Sequence, residues 1–102
     1  MGNDLELLQD MASMFIRDVP KLMATLASSI EARDIDEVAR AAHSVKGLAA
    51  NFGGARCMQA ALLIEQSAKE RQLTDIDNRR ARLAEQVELL CGALRSEILE
   101  AA

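Results

Sequence analysis

The only histidine of this 102-residue chain lies in the stretch AAHSVKGLAANFGG, residues 41–54. Lys46 and Gly47 follow His43 by three and four residues, a spacing that places all three on one face of a helix. A neutral imidazole is a nucleophile, and a lysine one turn away can neutralise an anion that the ring holds. Glycine costs a helix about 1 kcal/mol relative to alanine, but it lets another molecule approach the backbone closely. The pattern favours a nucleophilic imidazole that meets something bulky and negatively charged.

The helix that carries His43 has a clear apolar stripe on another side. At about 100° per residue, His43 lies roughly 140° from the centre of that stripe. Its neighbours Ala39 and Ala50 are small, so the ring is expected to be exposed. The commoner interpretation of a lone helical histidine is a solvated surface residue without a function, and it stays open from geometry alone. The stripe consists of Ile35, Val38, Ala42, Val45, Ala49 and Phe52.

Several classes of chemistry lack the residues they need. One histidine without a patterned cluster of Cys, His and Asp makes a poor metal site, so no metal is expected. The sequence lacks the Ser/His/Asp arrangement that would indicate a hydrolase. It also lacks the glycine-rich phosphate loop that would indicate ATP binding. The net charge of −4 argues against nucleic acid as a partner. The longest apolar run, residues 60–64, is too short to insert into a membrane, and a cytoplasmic protein is expected.

Helical periodicity recurs along almost the whole chain, and no segment alternates with the period of a strand. A first helix is predicted over about residues 3–16. Asp18-Val19-Pro20 interrupts the helical pattern after it, and a second helix follows from there to about residue 33. Asp34 and Glu37 form a capping-box pattern that opens the histidine helix, about residues 34–52. Gly53-Gly54 ends it, and two more helices follow at about 55–70 and from 74–75 onwards. The sequence predicts a single all-α domain over 1–102, an antiparallel four-helix bundle with an additional short N-terminal helix. Cys57 and Cys91 are expected to be reduced core residues.

Residues 42–53, AHSVKGLAANFG, resemble the pattern AHxxKGxAxxxG of the histidine-containing phosphotransfer (HPt) domain of bacterial phosphorelays. Leu48 stands where that family usually has a small residue. The resemblance extends to an early helix ending in Phe-x-x-Asp-x-Pro and to Leu63-Ile64-Glu65. It therefore covers most of the chain.

The resemblance implies a phosphorelay intermediate. His43 would accept a phosphoryl group on its distal ring nitrogen from a receiver-domain aspartate and pass it to another receiver domain. Lys46 would contact phosphoryl oxygens, and Gly47 would leave room for the receiver. Glu65 would hydrogen-bond the proximal nitrogen, although an exposed helix carboxylate is an equal alternative. The residues implied to border the docking face are Ala39, Arg40, Ala50 and Gln59. For Gln59 the alternative is an ordinary surface glutamine without a role in docking.

The resemblance also implies the partners. These would be response-regulator receiver domains and a hybrid sensor histidine kinase. The chain itself is expected to be a monomer, because its sequence shows no spare heptad seam. The chain would need no cofactor, because the receiver would bring Mg²⁺, and it would count as a phosphohistidine carrier more than as an enzyme. Two alternatives remain: a helical docking domain without chemistry, or the phosphoacceptor module of a larger hybrid or chemotaxis-type kinase.

Overall fold

The computed structural model describes residues 4–100, and these residues form helices and turns without a strand. This confirms the predicted all-α class and the bundle of four helices. The helices are α1 (Asp4–Glu31), α2 (Ile35–Ala50), α3 (Ala55–Lys69) and α4 (Ile76–Leu94), and a π-helical turn (Arg95–Leu99) follows α4 directly. Of the predicted domain 1–102, residues 1–3 and 101–102 lie outside the described part.

The four helices pack in the order in which they follow one another. Connections of three to six residues join them, so successive helices run antiparallel. Each helix is a neighbour of the next, and α4 also lies beside α1, so within residues 4–100 the pairs α1–α3 and α2–α4 are the diagonal pairs of the bundle. The histidine-bearing helix α2 therefore lies between α1 and α3.

The ends of α2 follow the local chemistry of the sequence. Asp34 caps its N-terminus, since its Oδ1 accepts a hydrogen bond of 3.2 Å from the backbone N–H of Glu37. The Glu37 carboxylate does not complete the box but binds Arg40. Gly53 ends the helix region with φ of +63°, a conformation that glycine adopts without steric cost.

The core is almost entirely aliphatic, as the near-absence of aromatic residues predicts. The largest fully buried side chains include Leu26, Ile64 and Leu83, one from each of α1, α3 and α4. The two phenylalanines, Phe15 and Phe52, meet edge to face with ring centroids 5.7 Å apart. Both cysteines, at 57 and 91, are buried free thiols, in agreement with their predicted role. No helix within residues 4–100 has the length and apolar character needed to cross a membrane.

The prediction of a separate short N-terminal helix is wrong. Helix α1 continues through Pro20, where a break was expected near residues 18–20, and Asn3, the predicted first residue, lies outside the described part. Proline removes one backbone hydrogen bond and costs a helix interior about 3 kcal/mol. Phe15 and Val19, just before the proline, are both 1% exposed. Burying such side chains contributes about 1.5–3 kcal/mol each, which is enough to offset the local cost of the proline.

Candidate functional site

His43 projects from the middle of α2 on the side away from the bundle core. Its side chain is 66% exposed, whereas Ala42 and Val45 on either side of it in the sequence are completely buried. The exposed position agrees with the helical wheel, because the apolar stripe of α2 faces the core. The ring is therefore open to a second molecule.

A buried carboxylate on the neighbouring helix holds the ring from behind. Glu65 of α3 is only 6% exposed in its side chain, and its Oε2 lies 2.9 Å from Nδ1 of His43. Its other oxygen, Oε1, accepts a hydrogen bond of 2.6 Å from Nζ of Lys46. Lys69 is a third contact, with its Nζ 3.6 Å from Oε2. One carboxylate thus joins the histidine and two lysines from α2 and α3.

Glu65 is ionised in this setting. The hydrogen bond from Lys46 is the largest influence that lowers the pKa of the carboxyl below its ordinary value of 4.5. Burial of the side chain acts in the opposite direction, and the bond to His43 lowers the pKa further. Near neutral pH the carboxylate therefore carries its charge and can only accept hydrogen bonds.

This charge state decides which ring nitrogen of His43 carries the hydrogen. Because the Glu65 carboxylate only accepts, Nδ1 must donate to it, and in a neutral imidazole the other nitrogen then holds the lone pair. The contact leaves Nε2 as the nucleophilic atom of an exposed ring. The arrangement suits attack by Nε2 on an electrophile supplied from outside.

Beside His43 lies an open groove between α1 and α2, called here the α1–α2 groove. Gly47 lies on its α2 side, and a Cβ added to this glycine would meet no atom within 4 Å. Packing within the bundle therefore does not require a glycine at this position. Glycine here lowers the stability of the helix without a gain in packing. The groove is lined by Asp18, Lys21 and Leu22 of α1 and by His43, Ser44, Gly47 and Leu48 of α2.

The structure brings together some predicted residues and leaves others apart. Hydrogen bonds join His43 and Lys46 to Glu65, which is buried and is not the exposed helix carboxylate of the alternative, and Gly47 lines the groove beside His43. Their roles in transfer, and the contribution of the residues implied to border the docking face, stay predictions. Among the latter, Ala39 is half-buried, and Arg40, Ala50 and Gln59 are exposed; none of these four lines the α1–α2 groove.

Sequence reasoning missed Lys69 and the α1 residues of the groove. Lys69 stands four residues after Glu65, a spacing that places two side chains together on a helix and could have revealed the pair. Lys21 has no such local signal, because its proximity to His43 depends on how α1 packs on α2. Within residues 4–100, no group of three or more His, Cys, Asp or Glu side chains is arranged to hold a metal ion.

Comparison with known proteins gives one family. The family model described as Hpt domain matches residues 10–97, which includes all four residues of the site and most of every helix. No curated protein and no solved structure matches the chain.

Proposed function

Because this chain belongs to the Hpt domain family, whose role is that of a phosphotransfer intermediate in two-component signalling, we propose that His43 is its phosphoryl-accepting residue. In this proposal His43 receives the group from the phosphorylated aspartate of one receiver domain and passes it to the aspartate of another. The observation that carries the proposal is the contact of Nδ1 with buried Glu65, which leaves Nε2 nucleophilic on an exposed ring.

The transfer step requires no group that the site and a receiver do not hold. The lone pair of Nε2 attacks phosphorus, a P–N bond forms, and the bond from phosphorus to the aspartyl oxygen breaks. The aspartate leaves as a carboxylate with the electron pair of that bond. The hydrogen on Nδ1 stays in place, and the ionised Glu65 stabilises the positive charge that the ring acquires. Donation to the second receiver is the same step in reverse.

The ammonium of Lys46 has N–H donors that Glu65 does not use and that can bind the phosphoryl group. An ammonium has three N–H donors, and only one is engaged by Oε1 of Glu65. With 26% of its side chain exposed, Lys46 can turn a second donor towards an oxygen held at His43. Phosphoryl transfer depends mainly on positioning and on neutralised charge, so these few groups suffice on this side of the complex. The Mg²⁺ that such a step uses is expected on the receiver.

The deciding experiment is incubation with a phosphorylated receiver domain, followed by intact-mass analysis of the wild type and of His43→Gln. We expect one acid-labile phosphoryl adduct on the wild type and none on His43→Gln. Ser44→Ala is the matched control, because Ser44 is the adjacent residue with a phosphorylatable side chain and lines the same groove. Its adduct should equal that of the wild type.

The opposite results would identify the alternative. If a panel of phosphorylated receivers leaves the helical wild type without an adduct, the chain is a docking domain and His43 an ordinary surface residue. An adduct that persists in His43→Gln, or that resists acid and disappears in Ser44→Ala, would place the phosphoryl group elsewhere and overturn the role of His43.

A further inference from the structure

All three lysines of the chain lie around its one histidine. The remaining nine basic residues are arginines, and the net charge of the chain is −4, so this is a local positive region on an acidic protein. Lys46 belongs to α2, Lys69 to α3 and Lys21 to α1. Lys46 and Lys69 both contact Glu65, and Lys21 shares the α1–α2 groove with His43.

Two of these lysines lie on opposite sides of His43. Helix α2 is packed between α1 and α3, so Lys21 flanks the ring from one side and Lys69 from the other. Lys69 is 69% exposed, and its Nζ is 3.6 Å from the Glu65 oxygen, a longer and weaker contact than that of Lys46. Lys21 is exposed as well. Both ammonium groups can therefore reach a molecule that covers the ring.

The nearby acidic residues do not cancel this charge. Asp18, which lines the groove with Lys21, is hydrogen-bonded by Arg17 at 3.0 Å, so this stretch of α1 carries a net positive charge. Glu65 has one negative charge against the two lysines that contact it. On α2 the charge of Arg40 is compensated by Glu37. The two lysines on Glu65 and the Lys21 stretch of α1 therefore contribute about two net positive charges beside His43.

We propose that Lys21 and Lys69 are partner-recognition residues that flank His43 and fit the acidic rim of a receiver domain. The inference rests on the proposed function and adds the residues that select and orient the partner. A receiver that holds Mg²⁺ would bind it through one or two carboxylates and the phosphoryl group, and in this proposal the rim around that site carries negative charge. Two lysines on either side of the nucleophile complement such a face, accelerate encounter and fix orientation.

The test is the rate of phosphoryl transfer from a phosphorylated receiver to Lys21→Gln/Lys69→Gln, measured against receiver concentration and against NaCl. The matched control is Arg82→Gln/Arg95→Gln, which removes the same charge from exposed residues on the α4 side, away from α2. At low salt we expect the lysine variant to lose about 10-fold in kcat/KM, mainly through a higher KM. Its rate should also depend less on salt.

Each other outcome contradicts the inference. An equal loss in the arginine variant would mean that only net charge matters, and an unchanged salt dependence in the lysine variant would mean that these side chains do not meet the partner's charges. A loss confined to kcat would assign them to the chemical step instead. If the wild type takes up no phosphoryl group at all, it is the proposed function that fails, which separates the two results.

Discussion

Nδ1 of His43 and Oε2 of Glu65 lie 2.9 Å apart, and this contact joins an exposed ring on α2 to a buried carboxylate on α3. The two residues are 22 positions apart in the chain, and the turn at 51–54 between the helices brings them together. The same carboxylate holds Lys46, so the nucleophile and the cation next to it are positioned by one group. We therefore expect both the transfer chemistry and part of the stability of the bundle to depend on Glu65.

Replacing Glu65 should impair transfer in proportion to the hydrogen bonds that are lost. Glu65→Ala leaves both His43 and Lys46 without their acceptor, and we expect the initial rate of His43 phosphorylation to fall by about 10-fold or more, since small errors of orientation are costly. Glu65→Gln keeps one acceptor oxygen and should fall in between. Initial transfer rates at a fixed concentration of phosphorylated receiver measure both effects.

The imidazole tautomer provides a readout that does not depend on a partner. Nitrogen-15 NMR of the free protein should show the hydrogen of the neutral ring on Nδ1 in the wild type and a mixture of tautomers in Glu65→Ala. A wild-type ring with its hydrogen on Nε2 would contradict the positioning role of Glu65, because that nitrogen would then have no lone pair for attack.

The free energy of unfolding should decrease in acid partly because Glu65 becomes protonated. The folded-state pKa of Glu65 lies below its ordinary value of 4.5, mainly because Lys46 donates to it. Its ionised form therefore contributes stability that is fully present above about pH 4.5 and is lost as the pH falls through the lower folded-state pKa. Glu65→Gln lacks this contribution, so its free energy of unfolding should fall less between pH 7 and pH 3.

Urea unfolding at a series of pH values measures this difference. Glu85→Gln is a suitable control, because Glu85 is an exposed carboxylate on α4, and its variant should follow the wild-type curve. If Glu65→Gln also parallels the wild type over the whole range, the ion pair with Lys46 does not stabilise the folded protein.

Gly47 should separate stability from partner binding. In Gly47→Ala the new methyl group meets no atom of the bundle within 4 Å, and the better helix propensity should stabilise the domain by about 0.5–1 kcal/mol. The methyl group projects towards the space that a receiver would occupy next to His43, so we expect a higher KM for the phosphorylated receiver. Thermal unfolding and transfer kinetics on the same preparation test both parts.

Gly92 of α4 offers a matched control for that substitution. It is also an exposed helical glycine with no atom within 4 Å of an added Cβ, but α4 lies diagonally across the bundle from α2. Gly92→Ala should gain similar stability with unchanged transfer kinetics. Equal kinetics in the two variants would show that the glycine beside the histidine has no role in partner approach.

The features that sequence could predict are those that one contiguous stretch encodes. The cap at Asp34, the left-handed Gly53 and the exposure of His43 all depend on residues within a turn or two of one another. Glu65 came from the resemblance to a family, since nothing local links it to His43. Lys21 was out of reach because its proximity to the ring arises only when α1 packs on α2.

The continuity of α1 shows why a local signal can mislead. Pro20 predicts a break from its own chemistry, whereas the burial of Phe15 and Val19 belongs to the assembled bundle and rewards one unbroken helix. Tertiary packing commonly overrides propensity in this way, and a stretch without its partners does not reveal it.

If the burial of Phe15 and Val19 offsets the helix-breaking effect of Pro20, the proline lowers the stability of the domain without interrupting α1. Pro20→Ala restores an N–H that can donate to the carbonyl of Ile16, and we expect the free energy of unfolding to rise by about 1–3 kcal/mol in urea titrations. Ser13→Ala, an exposed substitution in the same helix, controls for general alanine propensity and should gain only about 0.5 kcal/mol. Equal gains in the two variants, or a loss in Pro20→Ala, would mean that the proline belongs to a stable local geometry of α1 and that packing against Phe15 and Val19 is not what keeps the helix continuous.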